Sequence, residues 1–289
     1  MSLEAARSEG ETAAAALLLA VDQFRSRLSA RLTALAGAIE TSEDGRIVAS
    51  AANIARVGEL IAAMKTEFLD DEFVEAVTSY IESLDSVTTD VISAFDKFDG
   101  VDDEVLKAIS RKYKQEAAAL LINPETYTDS LWKPAADRLV YAAATSEPLD
   151  VALSGVGETI AIAPMASQVE AVTVSAPLML QRTQTAAAAE QTGAKFFYFQ
   201  GRPIATTRSW CRAREGKYWH IEEIRQWGRD AANGDGWDGM VEGTNEQTIF
   251  VHLGGWFGER NSCRHTLVPI LQSAVPESDL ARMREKGLL

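Results

Sequence analysis

The chain has 289 residues, a hydrophobic fraction of 46% and a formal net charge of −14. This composition allows a folded core but excludes an integral membrane protein built from long apolar segments. The first apolar stretch, residues 13–21, is too short to span a bilayer. It follows Glu4, Glu9 and Glu11 rather than basic residues, so we expect no signal peptide and a protein that is made in the cytoplasm.

The charge is unevenly distributed along the chain. Residues 1–100 contain 18 acidic and 8 basic side chains, whereas residues 195–289 contain 12 acidic and 13 basic ones. Because phosphate contacts need Lys and Arg, an acidic N-terminal half is poorly suited to grip duplex DNA. Its charges are typical of a solvated helical surface.

Residues 1–150 are predicted to form a helical bundle or an extended helical arm. Apolar residues recur every three or four positions along three stretches, Leu17–Ile39, Ile54–Phe68 and Phe73–Phe95. This spacing places them on one face of each helix, where they need packing partners in the same chain or in another subunit.

Two more helices are predicted before residue 150. Asp102 and Asp103 are suited to cap a fourth helix that ends near Leu121. A further helix is expected over residues 126–144, with Pro134 as a kink or boundary.

Residues 151–194 are predicted to form a partly irregular, partly helical connector. Ser154–Gly157 has the composition of a loop, although no GK[ST] follows that would make it a phosphate-binding loop. The Ala-rich stretch 181–191 predicts a helix that ends at Gly193.

Residues 195–275 are predicted to form a compact α+β module, followed by a tail helix in residues 276–289. Strands are expected at 195–199, 248–250 and 267–270, and a helix is expected to begin after His220 and end near Gly228. The module contains both cysteines, all three histidines and five of the six tryptophans. These residues are Cys211, Cys263, His220, His252, His265, Trp210, Trp219, Trp227, Trp237 and Trp256.

Several ordered segments of this module resemble one known family. The strings TTRSWCRAREGKYW, GTNEQTIF, LGGW, CRH and LVPI follow one another between residues 206 and 270. Together they are similar to the C-terminal domain of the minor head, or head morphogenesis, proteins of tailed bacteriophages. The resemblance covers about a quarter of the chain. It implies a structural protein of the virion, made in the host cytoplasm.

Cys211, Cys263 and His265 are the candidate metal ligands, with His220 as the fourth ligand or His252 in its place. Cysteine and histidine are the usual ligands of structural zinc, and a module this small would gain stability from the ion. We expect the two cysteines to meet in space, with their sulfur atoms roughly 3.5–4 Å apart if both bind zinc. Two alternatives remain open at this point, namely buried thiols with a hydrogen-bonded His265, and a Cys211–Cys263 disulfide.

The sequence does not favour an enzyme. It contains no HExxH, GxSxG or HxE…CxxC pattern, although a metal-dependent hydrolase with Glu215 or Glu223 as the base is a second reading. We therefore expect no catalytic residues, and no cofactor except a structural zinc ion.

The expected partners are other virion proteins of the portal, capsid or neck, with several copies of this chain in each particle. An internal protein that is ejected with the DNA is the first alternative function. Contact with packaged DNA is a further expectation, because basic residues alternate with aromatic ones in the module. These basic residues are Arg202, Arg208, Arg212, Arg214, Lys217 and Arg264.

Overall fold

The computed structural model describes residues 3–66, 71–123, 127–162, 165–201, 203, 205, 207–253 and 263–289. In this part of the chain, 68% of the structure is helical, with eleven α-helices and one three-stranded antiparallel sheet. The predicted fold class, mainly α with a small α+β module, is confirmed. No helix within these ranges has the length and apolar character needed to cross a membrane.

Among the described residues, seven α-helices precede the first strand. They are α1 (Leu3–Leu35), α2 (Ala51–Thr66), α3 (Asp71–Ala94), α4 (Asp103–Ile122), α5 (Lys133–Ala144), α6 (Leu149–Ile162) and α7 (Met165–Thr192). The predicted apolar stripes of α1 and α3 are buried along most of their length. In the second stripe Val57 and Met64 are buried but Ile54 is 42% exposed, and Phe68 lies outside the described residues.

Two predicted helix ends are confirmed. The carboxylate of Asp102 accepts hydrogen bonds from the backbone N–H groups of Glu104 (2.9 Å) and Val105 (3.3 Å), which caps α4. Gly193 follows α7 with a φ of 62°, a conformation that glycine adopts without steric cost. Pro134 lies in the first turn of α5, directly after a π-helical turn at Thr128–Trp132.

The prediction of a loop at Ser154–Gly157 is wrong, because these residues lie inside α6. Gly155 allows close packing against Arg138 and does not form a turn. A Cβ atom at this position would lie 2.6 Å from Nε of Arg138, whose guanidinium pairs with Glu147 at 2.5 Å. The loss of helix propensity at glycine is therefore offset by the close approach of α5 to α6.

The chain divides into two compact units that are not consecutive in sequence. One unit combines residues 1–10, 82–116 and 171–289, and the other combines residues 11–81 and 117–170. The segments predicted from sequence follow one another along the chain. The unit boundaries instead fall inside α1, α3, α4 and α7, which contribute to both units.

Within the described residues, the C-terminal module and its tail contain the sheet and four α-helices. The strands are β1 (Phe196–Gln200), β2 (Tyr218–His220) and β3 (Thr266–Ile270), and the helices are α8 (Ser209–Arg212), α9 (Ile221–Ala232), α10 (Ile249–His252) and α11 (Glu277–Glu285). The strand order is β2-β1-β3, and Gln200 is paired with Thr266 at one end of the sheet. Thus β1 is the central strand, and the residues that follow it lie beside those that precede β3.

The aromatic side chains of β1 fill two cores. Phe197 and Phe199 are fully buried in the larger core, which also contains Cys211 and Cys263. Phe196, on the opposite face of the strand, packs in a smaller core with Met283 of α11. The alternation of side chains along a strand therefore covers both faces of the sheet.

Two predicted elements of the module differ from the structure. Helix α9 continues past Gly228 to Ala232. Gly228 does not end the helix but leaves room for the backbone of Asn245, whose carbonyl oxygen lies 2.4 Å from the position that a Cβ would occupy. The predicted strand at 248–250 is instead the start of α10. The side-chain oxygen of Asn245 accepts hydrogen bonds from the backbone N–H groups of Gln247 and Thr248, which favours a helical start.

Candidate metal centre

The two cysteines and one histidine of the module form a buried cluster. The Sγ atoms of Cys211 and Cys263 are 3.7 Å apart, and Sγ of Cys263 is 3.5 Å from Nδ1 of His265. One potential ligand atom from each of the three residues lies within 4.8 Å of the other two. The exposed fractions are 2%, 5% and 3% in the same order, so the cluster is closed to bulk solvent.

Short local structures bring these residues together. Cys211 lies in α8, whose last turn is closed by a hydrogen bond of 2.9 Å from the backbone N–H of Glu215 to the carbonyl of Cys211. The next residue, Gly216, has a φ of 71° and donates its N–H to the carbonyl of Phe199 on β1. The turn after α8 is therefore attached directly to the central strand.

The ring of His265 occupies a space that only glycine leaves open. A Cβ atom on Gly201 would lie 2.2 Å from Cδ2 of His265. The ring also packs on Phe199, with 5.0 Å between centroids, and its Nε2 lies 3.7 Å from Oε2 of Glu215. The end of β1 thus fixes the position of the imidazole by steric contact.

Arg182 of α7 binds backbone carbonyl groups beside the cluster. It is 2% exposed, and its guanidinium donates to the carbonyls of Cys263 (2.8 Å), His265 (2.6 Å) and Val251 (3.2 Å). Because its planar fork offers several donors in fixed directions, one side chain can orient both residues of the Cys263–His265 segment. The sequence analysis missed this residue.

The contact between the two sulfur atoms shifts the pKa values of the two cysteines in opposite directions. The contact with Cys211, assisted by His265 and the positive charge of Arg182, holds the pKa of Cys263 well below its usual range. The same contact, together with burial, raises the pKa of Cys211. The site therefore favours loss of the proton from Cys263, and thiolate is the form that binds metal ions.

The two histidines proposed as fourth ligands lie elsewhere. His220 caps α9, where its Nδ1 accepts from the N–H of Glu222 at 3.3 Å, and burial lowers its pKa. The Nδ1 atom of His252 is 3.0 Å from the hydroxyl of Thr244. Across the described part of the chain, only Cys211, Cys263 and His265 form a group with metal-ligand spacing.

Most basic residues of the module make internal contacts. Arg214 stacks on Trp210 and Trp227, with its Cζ atom 3.9 and 4.7 Å from the ring centroids. Arg212 donates to the carbonyl of Thr207, and Lys217 donates to that of Ala213. Arg264 is exposed, whereas Arg202 and Trp256 lie outside the described residues.

Comparison with protein families, with curated proteins and with solved structures gives no match for this chain. The resemblance to phage minor head proteins therefore depends on the ordered motif of residues 206–270.

Proposed function

We propose that this chain is a structural component of a tailed-phage particle, of the minor head type, and that a zinc ion stabilises its C-terminal module. One observation carries the proposal. The motif segments around Cys211 and Cys263 are 52 residues apart in sequence, yet they meet in one buried cluster. The segments that resemble the minor head family thus behave as parts of one unit, as a shared domain would require.

Within the described residues, three of the four donors of a structural zinc site are present, and their spacing fits the ion. Zn–S bonds of about 2.3 Å and Zn–N bonds of about 2.0 Å at tetrahedral angles require S···S and S···N separations of roughly 3.8 and 3.6 Å. The corresponding separations are 3.7 Å between Cys211 and Cys263, and 3.5 Å between Cys263 and His265. Bound there, the ion would link the turn after α8 to the start of β3.

The burial of the cluster supports a structural ion over a catalytic one. A hydrolytic zinc site keeps a position open to water and substrate, whereas structural sites are closed. All three candidate ligands are at most 5% exposed. Glu223, one of the two candidate bases, is bound by Arg282 and Lys286 of the tail and by the backbone N–H of His220. These contacts favour a structural role over the hydrolase alternative.

The internal contacts of the basic residues bear on the expected contact with DNA. Arg212, Arg214 and Lys217 each donate to backbone carbonyls of the module. They stabilise the turn after α8, so we assign them first to folding. Partners of the particle, such as portal, capsid or neck proteins, remain the proposed binding partners.

The proposal is tested by the composition of purified particles. Mass spectrometry of purified, nuclease-treated particles made by the genome that encodes this chain should find it at a fixed copy number. Its presence only in the unassembled fraction would contradict the proposal. Triggered DNA ejection separates the alternatives, because a minor head protein stays with the empty particle whereas an ejected internal protein leaves it.

A further inference from the structure

The two ring nitrogens of His265 face different partners. Nδ1 lies 3.5 Å from the sulfur of Cys263, and Nε2 lies 3.7 Å from a carboxylate oxygen of Glu215. Nε2 is buried and makes no hydrogen bond within the described residues. A buried ring nitrogen beside a carboxylate, just beyond hydrogen-bond distance, is suited to donate to that carboxylate once it carries a proton.

We propose that Glu215 is a positioning residue for the metal, which selects the tautomer of His265 that binds zinc through Nδ1. This inference rests on the zinc ion of the proposed function. With zinc bound, Nδ1 of His265 would be a ligand beside the sulfur of Cys263, and the ring N–H would lie at Nε2, where the carboxylate of Glu215 could accept it.

Glu215 acts from outside the ligand set. Its carboxylate does not belong to the group of ligand atoms that lie within 4.8 Å of one another. It contacts the far side of the imidazole instead, and 18% of its side chain is exposed. A carboxylate that accepts from the second nitrogen of a metal-bound histidine fixes the ring orientation and raises the basicity of the ligand.

Backbone geometry couples Glu215 to a ligand on the other side of the site. Its N–H donates to the carbonyl of Cys211, so the two residues share one turn. With zinc bound, Cys211 and Glu215 would hold His265 between them, Cys211 as a fellow ligand and Glu215 through Nε2. The spacing of four residues makes this arrangement possible, because the turn after α8 places both side chains toward the start of β3.

The test measures zinc affinity of the full chain by competition with a chromophoric chelator. Glu215→Ala should bind zinc 10- to 100-fold more weakly than the unsubstituted chain. Glu215→Gln should lose less, because its amide oxygen still accepts from Nε2–H. Glu242→Ala, an exposed acid in the same module, is the control and should bind zinc as the unsubstituted chain does.

A spectroscopic measurement separates positioning from general support of the fold. With ¹¹³Cd in the site, nitrogen NMR should show metal coupling to Nδ1 of His265 and a slowly exchanging proton on Nε2. That proton should exchange rapidly in Glu215→Ala and be retained in Glu215→Gln. Coupling to Nε2, or unchanged affinity in Glu215→Ala, would overturn the role of Glu215 alone. Failure of the unsubstituted chain to bind zinc or cadmium would overturn this inference and the proposed zinc site together.

Discussion

The sulfur atoms of Cys211 and Cys263 lie 3.7 Å apart, although 52 residues separate the two cysteines in the chain. This separation is far longer than the S–S bond of about 2.05 Å in a disulfide. Both thiols are free, and both are buried. They place the end of α8 against the segment that precedes β3.

Replacement of Arg182 by Met should destabilise the protein by about 3–5 kcal/mol. The carbonyls of Cys263, His265 and Val251 would lose their donor inside a closed core. Arg182→Lys should recover only part of the loss, because one ammonium cannot reproduce the planar fork. Chemical denaturation measures the effect, with the exposed Arg111→Met as control. Equal stability of Arg182→Met and the control would contradict the assignment.

Gly228→Ala should cost about 1–3 kcal/mol, because overpacking is costly where the neighbour is backbone. The added Cβ would lie 2.4 Å from the carbonyl oxygen of Asn245. Gly58→Ala is the matched control, since Gly58 is an exposed helix position in α2 with no atom within 4 Å of the new Cβ. The control should be stabilised by up to about 1 kcal/mol. A similar change in thermal stability for both variants would show that α9 does not need glycine there.

Glu223→Gln should destabilise the protein by about 1–3 kcal/mol and loosen α11. The buried carboxylate accepts from Arg282, from Lys286 at 2.8 Å and from the N–H of His220 at 3.1 Å. Limited proteolysis should therefore cleave the tail faster in this variant. Glu242→Gln, at an exposed position, should change stability by less than about 0.5 kcal/mol. Unchanged tail cleavage in Glu223→Gln would argue against the docking of α11 through this carboxylate.

Stability of the metal-free protein should fall as the pH drops from about 7 toward 5, in part through His220. Burial lowers its pKa in the folded protein, while Glu222 and Glu223 oppose the shift. As the pH falls, His220 is protonated near its ordinary pKa of about 6.5 in the unfolded chain, but only at lower pH in the folded protein. Unfolding is therefore favoured as the pH falls.

His220→Asn provides the test, because asparagine caps a helix without titrating in this range. Urea unfolding at several pH values, with chelator present, should show a weaker pH dependence in the variant. His252, whose pKa burial also lowers, accounts for part of the remaining dependence. The same pH dependence in the variant and the parent chain would exclude His220 as a contributor.

Sequence reasoning located the candidate site but not the residues around it. The meeting of Cys211 with the Cys263–His265 segment was predicted from the motif and is confirmed. The sequence also placed His220 directly before the helix that begins at Ile221, in the N-cap position, and the structure confirms this cap. Capping was visible in the sequence, since Glu223 follows three residues later, as in a capping box.

Arg182 and the glycines show why the rest was harder to predict. Arg182 is the only charged residue between Glu170 and Glu190, a signal of a special role in an otherwise uncharged stretch. Its carbonyl partners are 69 to 83 residues away, so the sequence gives no indication of them. Gly155 was interpreted as a loop residue because propensity is local, whereas its contact with Arg138 is tertiary.

The metal content of the purified full-length chain tests the account most directly. Elemental analysis of protein prepared under reducing conditions without chelators should give one zinc per chain. Cys263→Ser should abolish zinc binding. In the parent chain, bound zinc should protect Cys263 from alkylating reagents. A parent chain that contains no zinc and takes up none when Zn²⁺ is added would contradict the account. It would leave Cys211 and Cys263 as packed thiols.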